Sequence, residues 1–119
     1  LVIVVTATKT FSGNQNDELQ VDAYITLLRR LAIAIQGCVI ITKHPSLSGR
    51  ALGTGESGNV AWNNSVRARL YFSEGKQGRE LRGMKANYGP RLPAIGLQWE
   101  KGVFVRDALP LVPHWSETD

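Results

Sequence analysis

The side chains of this chain whose types and spacing could do chemistry lie between Cys38 and Arg69. His44 follows the apolar run Cys38-Val39-Ile40-Ile41-Thr42. An imidazole there could serve as a base, a metal ligand or a phosphate sensor. The second histidine, His114, lies in the tail, and no Cys/His cluster surrounds His44, which argues against zinc. A hydrogen-bonded structural histidine is the plainer alternative. Arg67 and Arg69 stand at the start of a later apolar run. Their planar guanidinium groups suit phosphate or carboxylate, or else edge a solvent-facing strand. No Ser-His-Asp pattern and no pair of carboxylates can be assigned.

Residues 53–58 fit G-x-G-x-x-G. A dinucleotide site needs that motif tight between a strand and a helix. Here residues 43–52 intervene, so that reading is rejected. The same stretch has the frame of a phosphate-binding G-x-x-x-x-G-K-[ST] loop, but Asn59 and Val60 occupy the last two places. Without the lysine and the hydroxyl, neither the phosphates nor magnesium finds its usual partner. Residues 45–58 read as a long flexible loop, of the kind that is functional or disordered in a compact domain.

The elements that must position these residues follow from hydrophobic period. Residues 1–5 and 38–42 are nearly continuous apolar runs, the mark of parallel strands buried on both faces. Between them, Val21, Tyr24, Ile25, Leu28, Leu31, Ala32 and Ile35 recur at helical spacing over residues 16–35. Asn16 is placed to cap that helix, Asp17 and Glu18 suit its positive end, and Gly37 its stop. Residues 6–15 are polar, with turn chemistry at Ser12-Gly13-Asn14. Strand, helix, strand is a βαβ unit with parallel strands. Beyond the loop, residues 60–66 predict a short helix, 68–72 a strand, 73–78 a turn and 79–88 a further strand. Residues 95–99 and 103–105 predict a β-hairpin. The expected organisation is one α/β domain over 1–106 and an irregular tail over 107–119.

Composition bounds the partners. The chain has 119 residues and a formal charge of +4. Between Lys43 and Arg91 nine basic residues face three acidic ones, which suits a polyanion or a solvated face. The lone cysteine, Cys38, excludes an internal disulfide and fits the reducing cytoplasm. Its apolar setting predicts a small core residue. No apolar run reaches membrane-spanning length, so no membrane partner is expected. The chain opens in a strand without methionine, and its natural start is expected upstream.

Taken together and in order, the strand followed by His-Pro-Ser-Leu-Ser-Gly, the glycine loop, Ala61-Trp62-Asn63-Asn64-Ser65-Val66-Arg67, Leu81-Arg82-Gly83-Met84-Lys85 and Leu97-Gln98-Trp99 carry a resemblance. Over residues 1–105 the chain resembles the C-terminal half of RecA-like P-loop ATPases of the AAA family. The group it is most similar to is the RepA-type hexameric replicative helicases. The resemblance implies a partial RecA-like sheet, with His44 as a γ-phosphate sensor and Arg67 as an arginine finger offered in trans. It implies that Asn14 and Asp17 match the family's polar nucleotide-facing positions. It also implies that the basic loop, with Lys43, Arg50 and Arg69, faces single-stranded nucleic acid. ATP and magnesium are the cofactors implied for the intact family enzyme.

Two departures qualify that expectation. Val5 stands where the resemblance implies a magnesium-ordering aspartate, and the phosphate-binding loop itself is missing from these residues. The chain alone is therefore expected to bind no nucleotide or metal and to be inactive. In RecA-like sheets a strand lies between those matched by residues 38–42 and 68–72. Its absence implies a gap that strand exchange between two chains, a rearranged sheet or a lost upstream segment would fill, and a homo-oligomer or strand-exchanged dimer is expected. The rival expectation is a non-enzymatic, basic, dimeric module for binding or assembly, descended from such an ATPase.

Overall fold

A computed structural model of the chain describes residues 1–56, 58–75 and 78–107. The architecture is mixed α/β. Strand β1 (Val2–Val4) leads through the one-turn helix α1 (Ala7–Thr10) into the long helix α2 (Glu18–Ala34) and then β2 (Val39–Ile41). The two strands pair in parallel, Val2 opposite Val39 and Val4 opposite Ile41. Their pairing extends past the strand ends. Thr42 N–H donates to the Val4 carbonyl at 3.1 Å, and Ala7 N–H to the Thr42 carbonyl at 2.8 Å.

Helix α2 keeps its expected period but not its expected ends. Asp17, not Asn16, is the cap, its carboxylate accepting from Gln20 N–H at 3.2 Å. At the other end Gln36, with φ 50°, takes the left-handed position expected of Gly37. Gln36 N–H donates to the Ile33 carbonyl at 3.1 Å and Gly37 N–H to Ala32 at 3.0 Å. These two bonds close a helix whose chain turns left-handed just after its end, satisfying carbonyls that would otherwise lack a donor.

Burial follows what packs on the helix. Val21 and Ile25 are buried, Tyr24, Leu28 and Ala32 half-buried, and Leu31 and Ile35 exposed. The strands depart further from expectation. Ile3 and Ile40 are 57% and 45% exposed, so burial on both faces does not hold. Cys38 is exposed rather than a core residue. Among the described residues α2 covers one face of the pair and no second layer covers the other.

Two short helices follow. Helix α3 (Leu47–Ala51) lies within the stretch expected to be irregular. It forms because Ser46 caps it, the hydroxyl accepting from Gly49 N–H at 3.0 Å. Helix α4 (Ala61–Asn64) matches the short helix expected at 60–66. Strands β3 (Ala68–Gly75), β4 (Gly78–Ala86), β5 (Ile95–Glu100) and β6 (Val103–Arg106) form a separate antiparallel sheet in that order. Strand β3 runs past the expected end at 72, and Asn87 and Tyr88 fall outside β4. A bulge interrupts β3–β4 register between Arg69 and Leu70. The β5–β6 turn is two residues, Lys101 and Gly102, at φ 48° and 93°, the left-handed pair that matches strand twist. Of the irregular tail expected over 107–119, residues 108–119 lie outside the described residues.

The core is small and sits where α1, α2 and α4 meet the carboxyl ends of β1 and β2. Ala7, Val21, Ile25, Ala61 and Trp62 are its buried members, with Phe11, Tyr24, Ile41 and Val66 packed around them. Trp62 touches both Phe11 and Tyr24 edge-on, at centroid distances of 5.4 and 6.0 Å. Trp62→Ala is expected to lower unfolding stability by about 3–5 kcal/mol, as for large aromatic truncations in cores, read from urea denaturation. A loss below about 1 kcal/mol would show that the fold is not centred there.

Candidate functional site

The polar residues that sequence marks for chemistry converge on α4 and the turn after it. Just before α4, the Asn59 side-chain oxygen accepts from Ala61 N–H at 2.7 Å. The Gln15 carbonyl accepts from Asn59 Nδ2 at 2.8 Å and from Trp62 Nε1 at 3.1 Å. These bonds tie the 6–15 segment to α4. Lys43, leaving β2, lays its ammonium 5.0 Å from the Trp62 ring centroid. Partial burial there pushes the Lys43 pKa down from its ordinary value, since a charged ammonium loses hydration.

At its carboxyl end α4 meets three cations from three elements. Arg69 of β3 donates through Nε to the Asn63 side chain at 2.8 Å and through a terminal nitrogen to the Thr54 carbonyl at 2.7 Å. Lys85 of β4 donates to the Asn63 and Asn64 carbonyls, each at 2.9 Å. Arg29 of α2 donates to the Ser65 carbonyl at 2.5 Å, and Ser65 in turn donates to Asp22 at 2.8 Å. The last carbonyls of a helix lack internal donors and carry its negative end, so cations there satisfy both needs.

Arg67 emerges two residues after Ser65. Its side chain is exposed, the guanidinium 5.7 Å from the Tyr88 ring, and its carbonyl accepts from Asn87 N–H at 2.9 Å. The clamp on α4 thus fixes the backbone from which Arg67 projects. His44 is exposed just past β2. Asn14 and Asp17 are engaged locally: Asn14 accepts from Asn16 N–H at 2.9 Å, and Asp17 caps α2. Arg69 is occupied with α4 and the loop, with Glu56 a further 4.0 Å away. Arg50, at the end of α3, is exposed and lines an open groove with Tyr71, Ser73, Glu74 and Arg79.

The glycine loop is ordered around Gly49. Thr54 and Gly55 N–H groups both donate to the Gly49 carbonyl at 3.0 Å, and Ser46 N–H donates to the Glu56 carbonyl at 3.0 Å. Gly53, Gly55 and Gly58 all have φ near 70°, the left-handed region open to glycine. The loop's turns therefore explain its glycines. The fit to nucleotide and magnesium is poor on this chain. Asn59, in the lysine's place, spends its side chain on Gln15, and Val5 offers no oxygen at the end of β1. Among the described residues no three His, Cys, Asp or Glu side chains gather where a metal could be held. Among them, too, no helix is long and apolar enough to cross a membrane.

Sequence reasoning did not find Gln15, Arg29 and Lys85 as partners of α4. Their signal is faint because each contact runs through a backbone carbonyl, which any sequence supplies: Gln15 offers its own, and Arg29 and Lys85 donate to those of 63–65. No family model, curated protein or solved structure matches the chain.

Two outcomes check this arrangement. Lys85→Met should cost about 1–3 kcal/mol in denaturant stability, because the part-buried Asn63 carbonyl and the exposed Asn64 carbonyl both lose a charged donor. Gly49→Ala should loosen the loop, because a Cβ there collides with the Glu56 carbonyl. Faster limited proteolysis within 45–58 is the expected reading, and unchanged cleavage would contradict it.

Proposed function

We propose that the chain is the C-terminal portion of a helicase-related, RecA-like ATPase that is not competent to hydrolyse ATP alone. In this reading His44 acts as a sensor, Arg67 as an arginine finger for a neighbouring subunit, and the loop at Arg50 faces nucleic acid. The observation that carries it is the break between the two sheets. Among the described residues β2 pairs with β1 alone and β3 is an edge strand, so neither finds a partner there where the chain passes between them. A two-stranded parallel pair of three residues each is marginal by itself. A strand supplied from outside these residues would join the sheets and cover backbone groups that are costly to leave unpaired. The exposed setting of Arg67, held from behind by the α4 clamp, suits a group offered outward to a phosphate.

The exposed apolar side chains favour assembly as well. Leu1, Ile3, Val5 and Ile40 leave one side of the parallel pair uncovered. A non-enzymatic, dimeric binding or assembly module is therefore the second reading. Both predict a homo-oligomer or strand-exchanged dimer, and neither involves a membrane.

The deciding experiment restores what this chain lacks. Joined to a RecA-type half carrying G-x-x-x-x-G-K-[ST], Val5→Asp is expected to yield magnesium-dependent ATP hydrolysis. Arg67→Ala in that background should lower turnover about 1,000-fold or more, with ATP binding retained. Turnover indifferent to Arg67→Ala would overturn the finger. Calorimetric binding of ATP and magnesium by the 119-residue chain alone would overturn the incomplete-site reading.

A further inference from the structure

The antiparallel sheet has two unlike faces. Alternate residues of a strand share a face, and directly opposed residues share it across strands. One face carries Arg69 and Tyr71, and along β3 it is covered. Arg69 bonds Asn63 and Thr54, and the Tyr71 ring lies against Gly55. The other face carries Phe72, Arg79, Trp99 and Phe104. Leu92 packs over this face at Gly83, but around the rings it is open. Phe72 is 41%, Trp99 63% and Phe104 40% exposed.

These rings form one connected patch. Phe72 and Phe104 stand 5.1 Å apart and Phe104 and Trp99 4.9 Å apart, both edge-to-face. The Arg79 guanidinium is 6.0 Å from the rings of both Phe72 and Phe104. Arg106 shares this face, since it lies opposite Leu97, which lies opposite Arg79. Glu74 is the acidic residue on the face among the described residues, paired with Arg79 at 3.4 Å. Two arginines against one glutamate leave the patch net positive, as is the chain at +4.

Three exposed aromatic rings with interleaved arginines on a four-stranded antiparallel sheet are suited to one ligand chemistry in particular. Unpaired bases stack on aromatic faces whatever their identity, and the phosphates between them seek guanidinium groups. A duplex offers no free base faces to such a surface. We propose that this face binds single-stranded nucleic acid, with bases stacking on Trp99, Phe104 and Phe72 and phosphates meeting Arg79 and Arg106. The site adjoins the groove at Arg50, which Phe72 and Arg79 also line, but Trp99 and Phe104 lie outside that groove, and it stands whether or not the chain derives from an ATPase.

The test is fluorescence anisotropy of a short labelled oligothymidylate with the full chain at low salt. Trp99→Ala and Phe104→Ala should each weaken binding about 10-fold, the usual cost of losing one stacking ring. Trp99→Tyr, which keeps a ring, should bind nearly as tightly as the wild type, and Arg50→Ala should leave the ring dependence intact. A duplex of equal length should bind more weakly. Absence of binding by the wild type, or equal binding by Trp99→Ala and wild type with matching circular dichroism, would overturn the proposal. A wild-type dimer in sedimentation that Trp99→Ala splits, with no oligonucleotide bound, would also overturn it and assign the face to a second copy of the chain.

Discussion

The structure depends on the saturation of one short helix's carboxyl end by cations from three other elements. Helix α4 is only Ala61–Asn64, too short to hold itself in water. Arg29, Arg69 and Lys85 supply donors to the backbone and side chains of 63–65. Each of these charge-assisted bonds is stronger than a neutral one, and the three cations come from three different elements. Because β2 and β3 do not pair, this clamp and the Trp62 contacts are what join the parallel pair and α2 to the antiparallel sheet. Removing the clamp would separate two halves that have little other common core.

That dependence explains the distribution of apolar surface. Among the described residues the buried hydrophobic core is five residues around α4, whereas the far face of the parallel pair, the ring-bearing face of the other sheet and the end of α2 stay open. Apolar area left in water forfeits about 25 cal/mol per Å², so uncovered strands of Ile, Val and Phe are costly unless something else covers them. The proposed missing strand and the proposed base-stacking face are two answers to that cost at two places. The first concerns the gap between sheets, the second the outer face of β3 to β6.

The basic residues divide by the same geometry. Lys43, Arg69 and Lys85 turn inward onto Trp62 and α4, so their charge organises the chain. Arg50, Arg67 and Arg106 are exposed. An excess of nine basic over three acidic residues between Lys43 and Arg91 is therefore partly a folding device rather than a uniform binding surface.

Local periodicity by itself pointed to a helix over 16–35, found at 18–34, to the parallel pairing of its flanking strands, to a short helix within 60–66, found at 61–64, and to a hairpin of strands at 95–99 and 103–105, found at 95–100 and 103–106. Those follow from spacing of apolar residues and turn chemistry within a few residues. Tertiary structure decided the rest. That Gln36 rather than Gly37 turns the chain, that Cys38, Ile3 and Ile40 face solvent, and that Arg29 and Lys85 meet at α4 depend on what lies across space. A strand's apolar run records that it wants covering on both sides, but whether a layer arrives is a property of other elements. The carbonyls that gather the cations carry no residue identity, so no sequence pattern announces them.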